Sequence, residues 1–150
     1  MEYKKMGSRV YVRMDKGDEV IAGLRQVCQE LKIKSATFQG IGACDQVIVG
    51  TYLPAKQEFL KHERNGMLEM ISLQGNIVTS DKGELVEHAH GMFSYLRQDS
   101  GEMAYLGGRL LSACVSYTAE IVLDMVEAGY IGQQFDPITG INVWKLEGNA

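Results

Sequence analysis

Hydrophobic and polar residues alternate along most of this chain, as they do in β-strands that bury one face. The alternation is loose before Met14 and continues after the Asn65-Gly66 pair, and a long run rich in β-branched residues precedes Asp124. Glycine-containing turns separate the alternating stretches, which favours antiparallel hairpins. The strands predicted in this way lie at residues 8–14, 35–38, 46–52, 56–64, 67–79, 110–124 and 141–146, with another around the two histidines that follow residue 83.

One stretch has helical spacing instead, because its apolar residues recur every three or four positions. These residues are Val20, Ile21, Leu24, Val27, Cys28 and Leu31. They predict one main amphipathic helix over about residues 18–32, with Asp18 as its N-cap. One helix among many strands predicts an α+β fold, built as a mostly antiparallel β-sheet or open barrel. A chain of 150 residues is expected to form one domain, here residues 1–150.

The segments between the strands predict specific turns. Asn65-Gly66 and Asp81-Lys82-Gly83 are typical of hairpins. Gly40-Ile41-Gly42-Ala43 lacks the third glycine and the following helix of a phosphate-binding loop, so it predicts a bend or bulge between two strands. Residues 103–106 are predicted to form a short helix or a loop before Gly107-Gly108.

Composition and charge exclude several partners. The chain carries a net charge of -4 with dispersed basic residues, whereas phosphate contacts need clustered Lys and Arg. It has no apolar run long enough to span a membrane and no apolar signal region at its start. Its three cysteines are odd in number and lie in apolar stretches, which predicts buried free thiols in a reducing cytoplasm.

Two of the three histidines, His88 and His90, are the strongest candidate functional residues. Side chains two apart on a strand point to the same face, with Cα atoms roughly 7 Å apart. Both imidazoles could therefore meet one metal ion or one ligand, while Glu87 and Ala89 face the other way. Two imidazoles fall short of the three or four ligands that zinc takes, so a third residue must be found. Gly107-Gly108-Arg109 is expected to return to this strand.

Several motifs occur together in a fixed order. They are Arg13-x-x-x-Gly17-Asp18-Glu19-Val20, Ser35-Ala36-x-Phe38-x-Gly40-Ile41-Gly42-Ala43, Glu69-Met70-Ile71-Ser72-Leu73-Gln74-Gly75-Asn76, His88-Ala89-His90, Gly107-Gly108 and Thr118-Ala119-Glu120-Ile121. In this order and spacing they resemble the plant and prokaryote conserved (PPC) domain family, over roughly residues 9–146.

The resemblance implies a compact α+β domain, related in fold to acetolactate decarboxylase, that assembles as a homotrimer. Plant members carry a basic AT-hook that grips A·T-rich DNA, and stand-alone prokaryotic members bear a candidate DNA-binding label for that reason. This sequence has no Arg-Gly-Arg-Pro core of an AT-hook. Direct DNA binding by this chain alone is therefore not expected, although the family label implies it.

Many prokaryotic members resemble one another in holding zinc with the paired histidines and a third histidine after the two glycines. Here that position is Arg109, whose guanidinium stays protonated and cannot coordinate a metal. Zinc, the cofactor that the resemblance implies, thus needs a substitute ligand. The candidates for it are His62, Asp81, Glu69 and Glu120.

Two functions remain open on this sequence. One is a non-enzymatic binding or assembly module that acts as a homotrimer. The other is a small-ligand binder or metal-dependent enzyme that uses a His88/His90/Arg109 pocket, with Glu69 as a further ligand-binding residue, on a keto acid or another anion. The sequence carries no complete catalytic set that would decide between them.

Overall fold

The computed structural model describes residues 1–146 and contains one helix and an eight-stranded sheet within them. Its elements are β1 (Glu2–Met6), β2 (Arg9–Asp15), α1 (Val20–Glu30), β3 (Ala36–Leu53), β4 (Glu58–Thr79), β5 (Leu85–Leu96), β6 (Met103–Met125), β7 (Gly132–Asp136) and β8 (Ile141–Lys145). The predicted α+β class, mostly antiparallel with one main helix, is confirmed.

The sheet curls because its three longest strands each pair with several neighbours. The strand order is β1-β2-β6-β3-β4-β7-β8, and β5 pairs with both β4 and β6. Strands β3, β4, β5 and β6 therefore close a ring, as the prediction of an open barrel anticipated. Every pairing is antiparallel except one contact between Thr79 and Gly132.

The Gly40–Ala43 segment bends one continuous strand. The sequence predicts two strands here, at 35–38 and 46–52, but both belong to β3, whose register shifts between Gly40 and Gly42 and between Cys44 and Gln46. A Cβ on Gly42 would lie 2.6 Å from the carbonyl oxygen of Thr118. The predicted bulge is confirmed, and glycine is required there because the backbone of β6 passes so closely.

Helix α1 packs its apolar stripe against β6 and β5. The stripe belongs to the same buried core as the inner faces of the strands. The N-cap is Glu19 rather than the predicted Asp18. One carboxylate oxygen of Glu19 accepts a hydrogen bond from the backbone N–H of Ala22 at 2.7 Å, and the other accepts one from Ala113 at 3.0 Å. Glu19 thus joins the start of the helix to β6.

Two local predictions are wrong. Asn65-Gly66 does not form a hairpin, because Asn65 pairs with Gln46 inside the long β3–β4 ladder, and the chain reverses at residues 54–57 instead. Residues 103–106 form neither helix nor loop, because they pair with β5 as the first part of β6. In both places a long partner strand offers more hydrogen bonds than the local preference provides. The sequence pattern also missed β1 and β7.

The cysteines behave largely as predicted. Cys28 and Cys44 are buried and unpaired, and burial raises the pKa of each thiol to about 12. Cys114 is also unpaired but half-buried. Because the thiolate is the reactive form, such thiols serve packing rather than catalysis.

Candidate functional site

One face of the sheet is left uncovered by the helix, and it carries two rows of side chains that run across five strands. The first row is Arg9, Asp124, Thr37, Asn76 and His88, each directly opposite the next. The second row is Tyr11, Val122, Gln39, Gln74 and His90. Directly opposed residues on neighbouring strands lie close enough for their side chains to interact. The rows therefore place both histidines at one end of a largely polar surface.

The two imidazoles meet at this end. His88 and His90 are exposed and share a face of β5, as the alternation predicts, and their Nε2 atoms lie 3.1 Å apart. Ala89 points into the core, and Glu87 points toward α1, where it pairs with Arg25. The opposite face of β5 is thus occupied by packing and an ion pair, and the imidazoles are left to the open face.

The environment of the pair disfavours a positive charge on His88. Partial burial of the His88 imidazole, although the residue as a whole is exposed, lowers its pKa most, followed by the positive charge of Arg109 and by His90. A hydrogen bond between the two Nε2 atoms also requires one nitrogen to donate and the other to accept, and an accepting nitrogen is unprotonated. In this hydrogen bond the pair uses one imidazole nitrogen as a donor and one as an acceptor.

Arg109 lies beside the histidines, but its guanidinium turns away. Arg109 is directly opposite His90 on β6, so the predicted return of this segment to β5 is what the structure shows. Its guanidinium carbon sits 5.2 Å from the centroid of the Phe59 ring, near the β3–β4 turn. The side chain therefore acts on His88 through its charge, and its head group is held by an aromatic ring.

A cavity of about 730 Å³ lies over the two rows. Besides the row residues it is lined by Phe38, Gly75 and Trp144. The indole Nε1 of Trp144 donates a hydrogen bond to Oδ1 of Asn76 at 3.3 Å, so the β7–β8 hairpin forms the rim. A Cβ on Gly75 would lie 2.4 Å from Phe38 and 2.6 Å from the carbonyl oxygen of His88, so only glycine allows this approach.

The guanidinium in the cavity belongs to Arg9 and not to Arg109. Arg9 lies 3.8 Å from the carboxylate of Asp124, and both side chains are about half exposed. Sequence reasoning missed Arg9, and it missed Tyr11, Gln39 and Trp144 as well. The available signal was the alternation itself, because exposed residues of a core strand share one face.

Glu69, predicted as a ligand-binding residue, is not brought to the histidines. It pairs with Ser94, six positions along β5 from His88, which is roughly 20 Å on an extended strand. Glu69 lines a separate depression with Met67 and Leu96. Glu69 is far from the histidines because the residues on one face of a long strand are spread along its length.

The other candidate zinc ligands are also elsewhere. Glu120 pairs with Arg13, at the far side of the sheet from β5. Asp81 lies in the turn that joins β4 and β5. His62 is exposed, and its Nε2 lies 3.4 Å from the hydroxyl of Thr51. None of them lines the cavity over the two rows.

The residues that the structure describes in one chain do not fit a zinc centre. The 3.1 Å between the two Nε2 atoms is close to the roughly 3.3 Å that tetrahedral coordination gives to two bonds of 2.0 Å. Within residues 1–146, however, no three His, Cys, Asp or Glu side chains form a group that could hold a metal. The third family position is a cation, Arg109, which repels another cation. Residues 1–146 bring together two ligands where zinc takes at least three.

The fold and the site together define a class: a curled antiparallel sheet with one helix, carrying a polar cavity on the face away from the helix. Within this class the chain belongs to the Plants and Prokaryotes Conserved (PCC) domain family, whose model matches residues 1–127. The resemblance to the PPC family in its sequence motifs is thereby confirmed. No curated protein matches this sequence significantly.

Solved structures from three organisms share the fold. A candidate DNA-binding protein from Bacteroides thetaiotaomicron is 26% identical, with 98% of each chain covered and a TM-score of 0.85. A plant- and prokaryote-conserved protein from Pyrococcus horikoshii is 26% identical, with 96% of this chain and 94% of that chain covered and a TM-score of 0.77. A metal-containing protein from Archaeoglobus fulgidus is 27% identical, with 97% and 99% covered and a TM-score of 0.78.

Among the residues that the structure describes, no helix is long and apolar enough to cross a bilayer.

Proposed function

We propose that this chain is a homotrimeric binding module, folded as one domain over residues 1–150, that takes a small anionic ligand at its paired histidines. The observation that carries the proposal is the meeting of two imidazoles, 3.1 Å apart, at the end of a polar cavity. A cavity of this size with a few convergent polar groups is typical of small-molecule sites.

The charges around the cavity favour an anion. Arg9 and Asp124 offset one another at one end, and within residues 1–146 Asp124 is the one carboxylate that lines the cavity. At the other end the positive charge of Arg109 lowers the pKa of His88, and Arg109 is directly opposite His90. A carboxylate or phosphate placed between the imidazoles would accept hydrogen bonds from them and relieve this repulsion.

Self-association is supported by an apolar strip on the same open face. Ile41, Ile71 and Met92 occupy neighbouring positions on β3, β4 and β5, where the polar rows end, and all three are exposed. Met67 and Tyr105 extend the exposed apolar area on β4 and β6. Contiguous exposed apolar surface marks interaction sites, and a trimer that buries this strip would leave the cavity at the subunit edge.

The anion proposal is tested by titrating the imidazoles. Inorganic phosphate and pyruvate are added separately while the two ring resonances of His88 and His90 are followed by NMR. We expect either anion to raise the pKa of His88, because a nearby negative charge favours the imidazolium. The exposed His62 serves as the internal control. Equal shifts at all three histidines would contradict a site at the pair.

The assembly proposal is tested by light scattering on the purified protein. We expect a mass three times that of the 16.6-kDa chain. A mass of one chain at micromolar concentration would overturn the homotrimer and leave the anion site to be judged separately.

The negative net charge of this chain disfavours binding to duplex DNA, although the Bacteroides relative is a candidate DNA-binding protein. At a net charge of -4 we expect no retention on immobilised duplex at low salt. Retention that falls steeply with added salt would show phosphate contacts and would contradict this. The three free cysteines support a reducing cytoplasm as the working location.

A further inference from the structure

Three carboxamides lie beside the histidines in the cavity. Gln39 and Gln74 are directly opposite one another in the second row, and Asn76 is opposite His88 in the first. The side chains of Gln39 and Gln74 have no hydrogen-bond partner within residues 1–146. Asn76 uses its oxygen to accept from Trp144, which leaves its NH₂ group free to donate. Carboxamides offer a donor and an acceptor side by side, which is the pattern that matches the edge of a nucleobase.

A fixed aromatic ring borders these amides. Trp144 is 45% exposed, and its hydrogen bond to Asn76 holds the indole at the cavity rim. Flat aromatic side chains are the usual stacking partners of nucleobases. A lone phosphate or a short keto acid would occupy only the imidazole end of a cavity of about 730 Å³ and would leave these groups unused.

We propose that the ligand of this cavity is a nucleoside monophosphate, with its phosphate at His88 and His90 and its base on Trp144 within reach of Gln74 and Asn76. This rests on the proposed function, because the phosphate end is the anion site, and it adds the class of molecule that the anion belongs to. Val122 lies directly opposite Gln39 in the second row and adds an apolar side chain to the cavity lining.

The chain contains one tryptophan, so its emission reports on this rim alone. The experiment compares adenosine 5′-monophosphate, adenosine and inorganic phosphate by calorimetry and by tryptophan emission. We expect the monophosphate to bind at least tenfold more tightly than phosphate and to quench the emission, with adenosine weaker than the monophosphate.

Matched variants locate the two halves of the ligand. Trp144→Phe is expected to weaken the monophosphate at least fivefold and to leave phosphate binding unchanged. His90→Gln is expected to weaken both ligands at least fivefold. His62→Gln removes an exposed histidine outside the cavity and should change neither. All three positions are exposed, and circular dichroism verifies that the variants fold.

The outcomes separate this inference from the proposed function. If phosphate binds at the histidines but the monophosphate binds no more tightly and leaves the emission unchanged, the nucleotide is wrong and the anion site stands. If neither phosphate nor the monophosphate binds, both fail. A deoxyadenosine oligonucleotide that binds a hundredfold more tightly than the monophosphate would replace the mononucleotide with a nucleic-acid strand and overturn the inference.

Discussion

The indole Nε1 of Trp144 donates a hydrogen bond to the side-chain oxygen of Asn76 at 3.3 Å, and this bond ties the C-terminal hairpin to the cavity. The backbone of the hairpin also pairs with the sheet, between Thr79 and Gly132. One side-chain contact therefore helps to decide where the rim of the site lies.

Asn76→Ala is expected to loosen this rim. The indole loses its acceptor, so its emission should shift toward that of a solvated tryptophan, and the unfolding free energy should fall by about 0.5–1.5 kcal/mol. Emission spectra and urea unfolding measure the two effects. Asn142→Ala, an exposed asparagine of β8, is the control, and an equal emission shift there would contradict the assigned role of Asn76.

The stability of the protein should fall in mild acid partly through His88. Its pKa lies below the ordinary 6.5, so the unfolded chain binds this proton more readily than the folded one. The contribution is complete above pH 6.5 and is lost as the pH falls through the lowered folded value. We expect His88→Gln to flatten the decline in urea midpoint as the pH falls below 6.5. His62→Gln should retain the wild-type profile, and an unchanged profile in both variants would contradict this account.

Arg109→Gln tests the charge beside the pair. Removing the guanidinium removes one of the influences that lower the pKa of His88, so that pKa should rise toward its ordinary value while burial still holds it down. NMR titration of His88 measures the change. Arg64→Gln, which removes a guanidinium stacked on Tyr95 away from the cavity, is the charge-matched control. A shift of equal size in that variant would argue for a general charge effect.

Gly75→Ala should damage the core and the site together. The added methyl would meet the ring of Phe38 and the carbonyl oxygen of His88, so we expect a loss of about 1–3 kcal/mol in unfolding free energy and weaker anion binding. Gly107→Ala is the milder control, because its nearest neighbour is the carbonyl oxygen of Gly91 at 3.3 Å. Equal stability of the two variants would contradict the close packing at Gly75.

Ile71→Lys should separate the subunits without unfolding them. Ile71 is exposed in the single chain, so a lysine there costs little within one subunit but would be buried in the proposed trimer interface. We expect a mass of one chain by light scattering and an unchanged circular dichroism spectrum. Ile138→Lys changes an exposed isoleucine of the β7–β8 turn and should remain a trimer. If the Ile71→Lys variant still forms a trimer, the strip is not the interface.

Local patterns in the sequence were sufficient for the main helix and for the face of β5 on which the two histidines lie. The spacing of Val20, Leu24 and Val27 predicted the helix, and the placement of Ala89 between two histidines predicted that the imidazoles share a face. Both follow from the geometry of a single element, because a helix repeats every 3.6 residues and a strand every two.

Whether a turn-forming pair such as Asn65-Gly66 makes a turn depends on the partner strand as well. Asn65-Gly66 has the chemistry of a hairpin, but its position opposite Gln46 lies within a ladder, and the hydrogen bonds of that ladder outweigh the local preference. No window around Asn65 contains the residues of β3 that decide this.

The site itself was only half determined by the sequence. His88 and His90 are neighbours in the chain, and the alternation of a strand was enough to pair them. Arg9 and Trp144 reach the same cavity from opposite ends of the chain, and only the order of strands in the curled sheet brings them there. Sheet order is set by contacts between distant segments, so the pairing of neighbours could be predicted and the surroundings of the pair required the tertiary structure.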